Sequence, residues 1–243
     1  MVKMTRISSS FLTAVCLLFA IGIASASDRS EADKARDVQR KPTEVLEFLG
    51  LAPGDTVVDV WAAGGWYTEV LSNAVGDEGH VYSQNPPAVL KFGDGQYDKA
   101  LTARLADGRL GNVERMDVAL AGGPITANSV DFAITALNFH DVYNGNGAEA
   151  AMEFMVSVYA VLKPGGIFAV IDHVGNADVD NTGVHRIHPE LAKAVATEAG
   201  FIVEAESDLL AHPDDDHTKM VFDPTLRGET DRFILRLRKP ATE

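Results

Sequence analysis

The sequence predicts an α/β domain whose mostly parallel sheet is covered by helices on both faces. Three observations carry that expectation. Short β-branched runs alternate with segments of helical spacing from Thr56 onward, the pattern of strand, crossover helix and next strand. The run from Val130 to Phe139 is almost continuously apolar, as expected of a strand covered on both sides. Asp231 to Leu237 instead alternates apolar and charged residues, which suits an antiparallel edge or hairpin strand. The 243 residues are 46% hydrophobic, with Gly and Pro spread along the chain, and this fits one globular domain rather than repeats or disorder.

The N-terminus is different in kind. Lys3 and Arg6 precede the apolar run Phe11 to Ala24, and Ala24-Ser25-Ala26 is a small-x-small cleavage site, so a secretory signal is expected over residues 1–26 and a single domain over 27–243. The apolar run is short and is followed at once by the charged segment Asp28 to Arg40, which makes it a poor membrane anchor. A secreted, periplasmic location without membrane attachment after cleavage is the expectation. Cys16, the only cysteine, lies inside that run, so the mature chain of about 217 residues (243 less 26) has neither disulfides nor thiol chemistry and depends on its core. The formal charge of -14 becomes -16 when Lys3 and Arg6 are removed. Such a surface repels nucleic acid phosphates and anionic lipids, leaving a neutral or cationic small molecule as the better partner class.

Taken in order, Ser30 to Leu51 reads as a helix stopped by Gly50 and Pro53. Thr56-Val-Val-Asp-Val-Trp-Ala-Ala-Gly-Gly-Trp-Tyr-Thr-Glu-Val-Leu71 reads as strand, tight turn and helix. Gly79 to Pro86 is a second strand bounded by Gly and Pro, and Pro87 to Ala106 a helix with an irregular start at Gly93 and Gly95. Asn112 to Met116 is a third strand, and the run from Ser129 a fourth that leads into an exit loop with Asn138, His140, Asp141 and Tyr143. Gly147 to Leu162 has the spacing of an amphipathic helix, and Leu162-Lys-Pro-Gly-Gly-Ile-Phe-Ala-Val-Ile-Asp-His173 is a turn and fifth strand. A polar loop over residues 176–182 leads by His185-Arg-Ile-His-Pro-Glu190 into a helix to Ala199, capped by Gly200. Phe201 to Ser207 is a sixth strand, and Asp208 to Glu229 an insert long enough to reach the ligand side.

The first strand-turn-helix, together with Leu-Lys-Pro-Gly-Gly before the fifth strand, resembles the ordered motifs of class I S-adenosylmethionine-dependent methyltransferases. It is most similar to predicted secreted members with Trp-Ala-Gly-Gly-Trp-like turns and a His-Arg pair before the last helix. The resemblance implies a Rossmann-like, doubly wound seven-stranded sheet with an antiparallel last strand, and S-adenosylmethionine as cofactor. Asp59 takes the acidic place of the first motif and Gly65 its last glycine, while Trp61 and Ala63 stand where the first two glycines are usual. Cofactor contacts are implied for Asp59, Ala63, Gly64, Gly65, Asn85, Asp117 and Asn138: Asn85 in place of the acid that binds the ribose, Asp117 toward the adenine amino group.

Methyl transfer from a sulfonium releases a neutral leaving group, so catalysis is orientation plus a base where the nucleophile carries a proton. His140, Asp141 and His173 follow strands at the expected ligand rim and are the catalytic candidates, beside Asp172. Trp66, Tyr143, His185 and Arg186 are the substrate-side candidates, with Arg186 either holding an anionic group or pairing with an acid such as Asp172 or Glu190. Asp172, His173, His185 and His188 offer metal-ligating atoms, but their spacing matches no compact metal signature, and no metal is expected. Two functions follow: an exported methyltransferase acting on a small molecule, or a noncatalytic binding protein on the same scaffold with its first turn reshaped.

Overall fold

The computed structural model describes residues 29–241. The expected signal segment and its cleavage site lie outside the described residues. Seven strands form one sheet in the order β3-β2-β1-β4-β5-β7-β6. They are β1 (Thr56–Val60), β2 (His80–Gln84), β3 (Val113–Met116), β4 (Val130–Ala136), β5 (Leu162–His173), β6 (Ile202–Ser207) and β7 (Arg232–Arg238). The first five pair in parallel, and β7 lies antiparallel between β5 and β6. The expected seven-stranded, doubly wound sheet with a reversed last strand is what the chain forms.

Alternation along each strand sends neighbouring residues to opposite faces. Val57, Phe132, Ile134, Ile167 and Ala169 join one buried cluster, while Val58, Ala133, Phe168 and Val170 join the other. The first cluster is closed by α2 (Pro42–Leu49) and α3 (Trp66–Val75), the second by α6 (Phe139–Val161) and α7 (Pro189–Glu198). Burial on both faces is why β4 and β5 read as continuous apolar runs.

Three elements differ from expectation for local reasons. The N-terminal helix is two helices, α1 (Glu31–Arg40) and α2, because Lys41 turns left-handed (φ 41°) ahead of Pro42. Proline's ring disfavours helical geometry in the residue before it, so the chain breaks there. The helix after β2 divides into α4 (Pro87–Leu90) and α5 (Phe92–Arg104), with Gly93, Asp94 and Gly95 all left-handed. The helix expected from Gly147 begins instead at Phe139 and is interrupted at Gly147 (φ 85°, ψ 174°). His140 and Asp141 therefore stand on the first turn of a helix rather than in a loop.

Leu-Lys-Pro-Gly-Gly has a packing reason. Between Val130 and Phe132 the β4–β5 register shifts, and a Cβ on Gly166 would meet the Lys163 carbonyl at 2.9 Å and the Asp131 carbonyl at 3.1 Å. Only glycine allows the two backbones to approach this closely.

Candidate functional site

Strand order reverses between β1 and β4, and in open α/β sheets ligands lie beyond the carboxyl ends of the strands at such a point. Three segments meet there: the turn Trp61–Gly65 after β1, the segment Leu137–Asp141 after β4, and Asp172–His173 at the end of β5. Asn138 links the first two by donating its amide to the Trp61 carbonyl at 3.0 Å.

The turn after β1 keeps a glycine's backbone without the glycines. Trp61 and Ala63 are both left-handed, at φ 56° and φ 50°, as is Gly65 at φ 77°. For an L-residue this conformation costs about 1–2 kcal/mol, because Cβ crowds the following carbonyl. Strain of this kind persists only where the surroundings over-determine it. The surroundings are visible: the Trp61 amide donates to the Gln84 side chain (3.3 Å), the Ala62 amide to the Gln84 carbonyl (2.9 Å), and the Ala63 amide to Asn85 Oδ1 (2.8 Å). Asn85 Nδ2 returns a bond to the Ala63 carbonyl at 3.3 Å. The Trp61 indole packs edge-on against Phe154 of α6, with centroids 5.9 Å apart. Ala63→Gly should relieve strain, and chemical denaturation should show a gain of about 0.5–1 kcal/mol, reduced by the added freedom of the unfolded chain. A loss above about 1 kcal/mol would contradict this account of the turn.

Asp59 lies beneath the turn and is buried. One oxygen accepts from the Thr68 hydroxyl at 2.7 Å, and Thr68 also contacts Ser83 Oγ at 2.9 Å. Burial pushes the Asp59 pKa up to about 6, against the hydrogen bonds from Thr68 and the charges of Arg40 and Arg104 that favour ionisation. It therefore positions α3 against β1 and β2 as much as it faces a ligand. Gly64 and Gly65 are gripped by Arg104 on α5: its Nε donates to the Gly64 carbonyl at 2.9 Å, and a Cβ on Gly65 would meet Leu101 at 2.7 Å and Arg104 at 3.2 Å.

Several of the other expected contacts are engaged by neighbouring protein groups. Asn85 is fully buried and bound to the Ala63 backbone, so its amide is engaged in holding the turn. Asp117 receives Arg115 Nε at 2.8 and 2.9 Å, and borders a cavity of about 420 Å³ with Pro87, Leu90 and Asp98. Trp66 is buried, its Nε1 donating to the Asp33 carbonyl at 3.3 Å and its ring flanked by the Arg29 and Arg40 guanidiniums at 5.2 and 4.6 Å. It fastens α1 over the start of α3 instead of presenting itself to substrate. Arg186, expected as an anion holder or a partner of Asp172 or Glu190, is fully buried and pairs with Asp215. It also donates to the Val174 carbonyl (3.0 Å) and the Lys219 carbonyl (3.1 Å), so no substrate group reaches it. Tyr143 is partly buried against the α6-side core.

The catalytic candidates do come together. Asp172, fully buried, accepts from the backbone amides of His140 (2.7 Å) and His173 (2.8 Å) and contacts His140 Nδ1 at 2.7 Å. That fixes the imidazole, with Nε2 buried and 3.3 Å from Asp141 Oδ1. Asp141 Oδ1 also meets His185 Nδ1 at 2.9 Å, and the His140 and His185 rings are 5.7 Å apart, edge to face. Burial lowers the His140 pKa, but the Asp172 and Asp141 carboxylates outweigh it and raise it to about 10. Held between two carboxylates, the ring favours its protonated form, in which it donates rather than accepts. Burial tends to raise the Asp141 pKa, yet His140 and His185 bring it below its ordinary value. The His173 ring lies 5.8 Å from that of His140, tilted by 56°, its Nδ1 is 2.8 Å from the Thr230 hydroxyl, and burial with the nearby His140, Arg232 and Arg186 charges holds its pKa well below the usual value. His173 is thus the neutral imidazole of the pair.

Sequence reasoning named Asp172 as a candidate but not as the orienting group, and missed Asp215, which lies in the acidic run Asp214–Asp216 of the insert. The position of Asp172 at the end of β5 was the available signal for the first; the second had none.

No family model matches the chain. Among curated relatives, a ubiquinone/menaquinone biosynthesis C-methyltransferase from Teredinibacter turnerae is 33% identical over 129 residues, 52% of this chain and 46% of that protein. The protein of the same description from Shewanella pealeana is 25% identical over 185 residues, 73% of this chain and 68% of that protein. The chain thus spans about half the length of the first relative and about two thirds of the second. Among solved structures, a SAM-dependent methyltransferase from Aquifex aeolicus matches with TM-score 0.64 and 21% identity, over 86% of this chain and 95% of that one. The 4+2 cyclase SpnF matches with TM-score 0.59 and 19% identity, over 89% and 86% of the two chains. The fold is that of class I S-adenosylmethionine-dependent methyltransferases.

Proposed function

We propose that the chain is an S-adenosylmethionine-dependent methyltransferase acting on a small molecule, exported to the periplasm. The observation that carries the reading is the turn after β1. It holds left-handed geometry at Trp61 and Ala63, the two places where glycines are usual in a cofactor turn, and at Gly65, and strain of this kind clusters at functional sites. Asp59 beneath it is a buried carboxylate with a strongly raised pKa, and perturbed groups of this kind cluster at functional sites. S-adenosylmethionine is the cofactor; the Trp61–Gly65 turn and Asp117 at the cavity beside α4 and α5 would hold it, and it would supply the methyl group transferred at the rim built by His140, Asp141 and His185.

The curated relatives are named as quinone-pathway C-methyltransferases, which supports an electron-rich ring carbon as acceptor. Transfer to carbon leaves a proton to be removed. Neutral His173, beside this rim, is better suited to that task than His140, whose ring is held between two carboxylates. Periplasmic location rests on Lys3, Arg6 and the apolar run before Ala26; among the described residues no helix is long and apolar enough to cross a membrane.

A second reading, a noncatalytic binding protein on this scaffold, is favoured by one observation. The amides of Trp61, Ala62 and Ala63 are already bonded to Gln84 and Asn85, so a ligand must take its hydrogen bonds elsewhere. Incubation with methyl-labelled S-adenosylmethionine and a panel of phenols and quinols separates the two. Label in an organic-soluble product supports the enzyme, and cofactor binding without label transfer across the panel supports the binding protein.

A further inference from the structure

We propose that His140, Asp141 and His185 form a binding site for one divalent first-row transition-metal ion. His140 contributes Nε2, Asp141 a carboxylate oxygen and His185 Nδ1, and these atoms lie within 4.8 Å of one another. Two of the separations, 3.3 Å from His140 Nε2 to Asp141 Oδ1 and 2.9 Å from Asp141 Oδ1 to His185 Nδ1, already approach the roughly 3–3.5 Å between neighbouring ligands of an ion bound at about 2.1 Å.

A second observation is independent of that spacing. His140 is 2% exposed, and its Nε2 is buried without a hydrogen bond, its contact with Asp141 being outside bonding geometry. A buried ring nitrogen left in this state is costly unless it has a partner. Its other nitrogen rests on Asp172, itself pinned by two backbone amides. Carboxylate behind histidine is the arrangement that fixes tautomer and orientation of a metal-bound imidazole.

His185 is placed with similar constraint. Its backbone is left-handed (φ 56°), its ring lies 5.2 Å from Phe222, and the adjoining Arg186 is locked to Asp215 and to the Val174 and Lys219 carbonyls. Two imidazoles and one carboxylate suit first-row ions such as zinc, iron(II) or manganese over magnesium or calcium, which prefer all-oxygen sets. Asp141 and His185 keep side-chain exposures of 55% and 35%, so the ion's remaining positions open to solvent at the substrate rim.

The test uses the full chain, stripped with a chelator, desalted and titrated with cobalt(II) as the probe. Binding is read by calorimetry and by the visible absorption of coordinated cobalt. The expected result is one ion per chain, retained against millimolar magnesium, with affinity reduced at least about 100-fold in Asp141→Ala and His185→Ala and about 10–100-fold in Asp172→Asn. His80→Ala, far from the cluster, should bind as the parent does. Asp141→Asn preserves shape and serves where the alanine variant fails to fold. Absence of a stoichiometric site, or unchanged binding in both the Asp141 and His185 variants, would overturn the proposal. No S-adenosylmethionine is present, so the outcome is independent of the cofactor reading.

Discussion

Asp215→Ala is expected to lower the unfolding free energy by about 3–5 kcal/mol, because it strands a fully buried guanidinium. Arg186 has no solvent to turn to. Its pairing with Asp215 at 2.9 Å joins the segment after β5 to the long insert before β7, and Asp215 also accepts from the amides of His217 and Asp231. Removing the carboxylate leaves the cation buried and two backbone donors unsatisfied. Arg186→Met combined with Asp215→Leu removes both charges and should recover part of the loss, since the desolvation penalty of the pair disappears with them. Urea denaturation of the parent, the single variant and the double variant measures this. A single-variant loss below about 1 kcal/mol, the scale of a surface pair, would contradict the assignment of this pair as the anchor of the insert.

Asp59→Asn is expected to stabilise the protein at neutral pH and to flatten its pH profile. The folded pKa, about 6, lies above the reference 3.8. Between those values the native state therefore binds more protons than the unfolded chain, and stability falls as pH rises from below 4 through 6. The difference of about 2 pH units corresponds to roughly 3 kcal/mol, present at low pH and lost by pH 7. Asparagine cannot ionise and can still accept the Thr68 hydroxyl. The variant should unfold at higher denaturant than the parent at pH 7, with the gap closing by pH 4. An Asp59→Asn profile that parallels the parent's across pH 4–7 would show that burial does not penalise this carboxylate. A carboxylate kept at that cost, beneath a turn kept at a steric cost, is the pattern of a site retained for function.

Much of the fold was legible because the signals were local. β-branched runs separated by helical spacing gave the strands, and alternation from Asp231 to Leu237 pointed to the reversed strand, which spans Arg232–Arg238. Local signals failed where helices were interrupted: Lys41 before Pro42, and Gly147 within α6, each changed an element's extent without changing its hydrophobic period. At the site, placement of His140, Asp141 and His173 at one rim followed from strand ends. Their division of labour did not, because it depends on Asp172, which lies 32 residues from His140 in sequence, and on burial that spacing does not encode. Trp66 and Arg186 illustrate the converse. Both are residue types suited to substrate contact, but the chain uses them as anchors, one under α1 and the other under the insert. The substitutions at Trp61 and Ala63 were visible as departures from a glycine motif, whereas the retained left-handed backbone was visible only in three dimensions.

Isothermal titration of the full chain with S-adenosylhomocysteine, the demethylated cofactor, tests the central claim most directly. A turn that preserves cofactor geometry at Trp61, Ala63 and Gly65 should bind one molecule per chain, with heat that saturates at micromolar to submillimolar ligand and an accompanying rise in Tm. No heat and no change in Tm at millimolar S-adenosylhomocysteine or S-adenosylmethionine would contradict it.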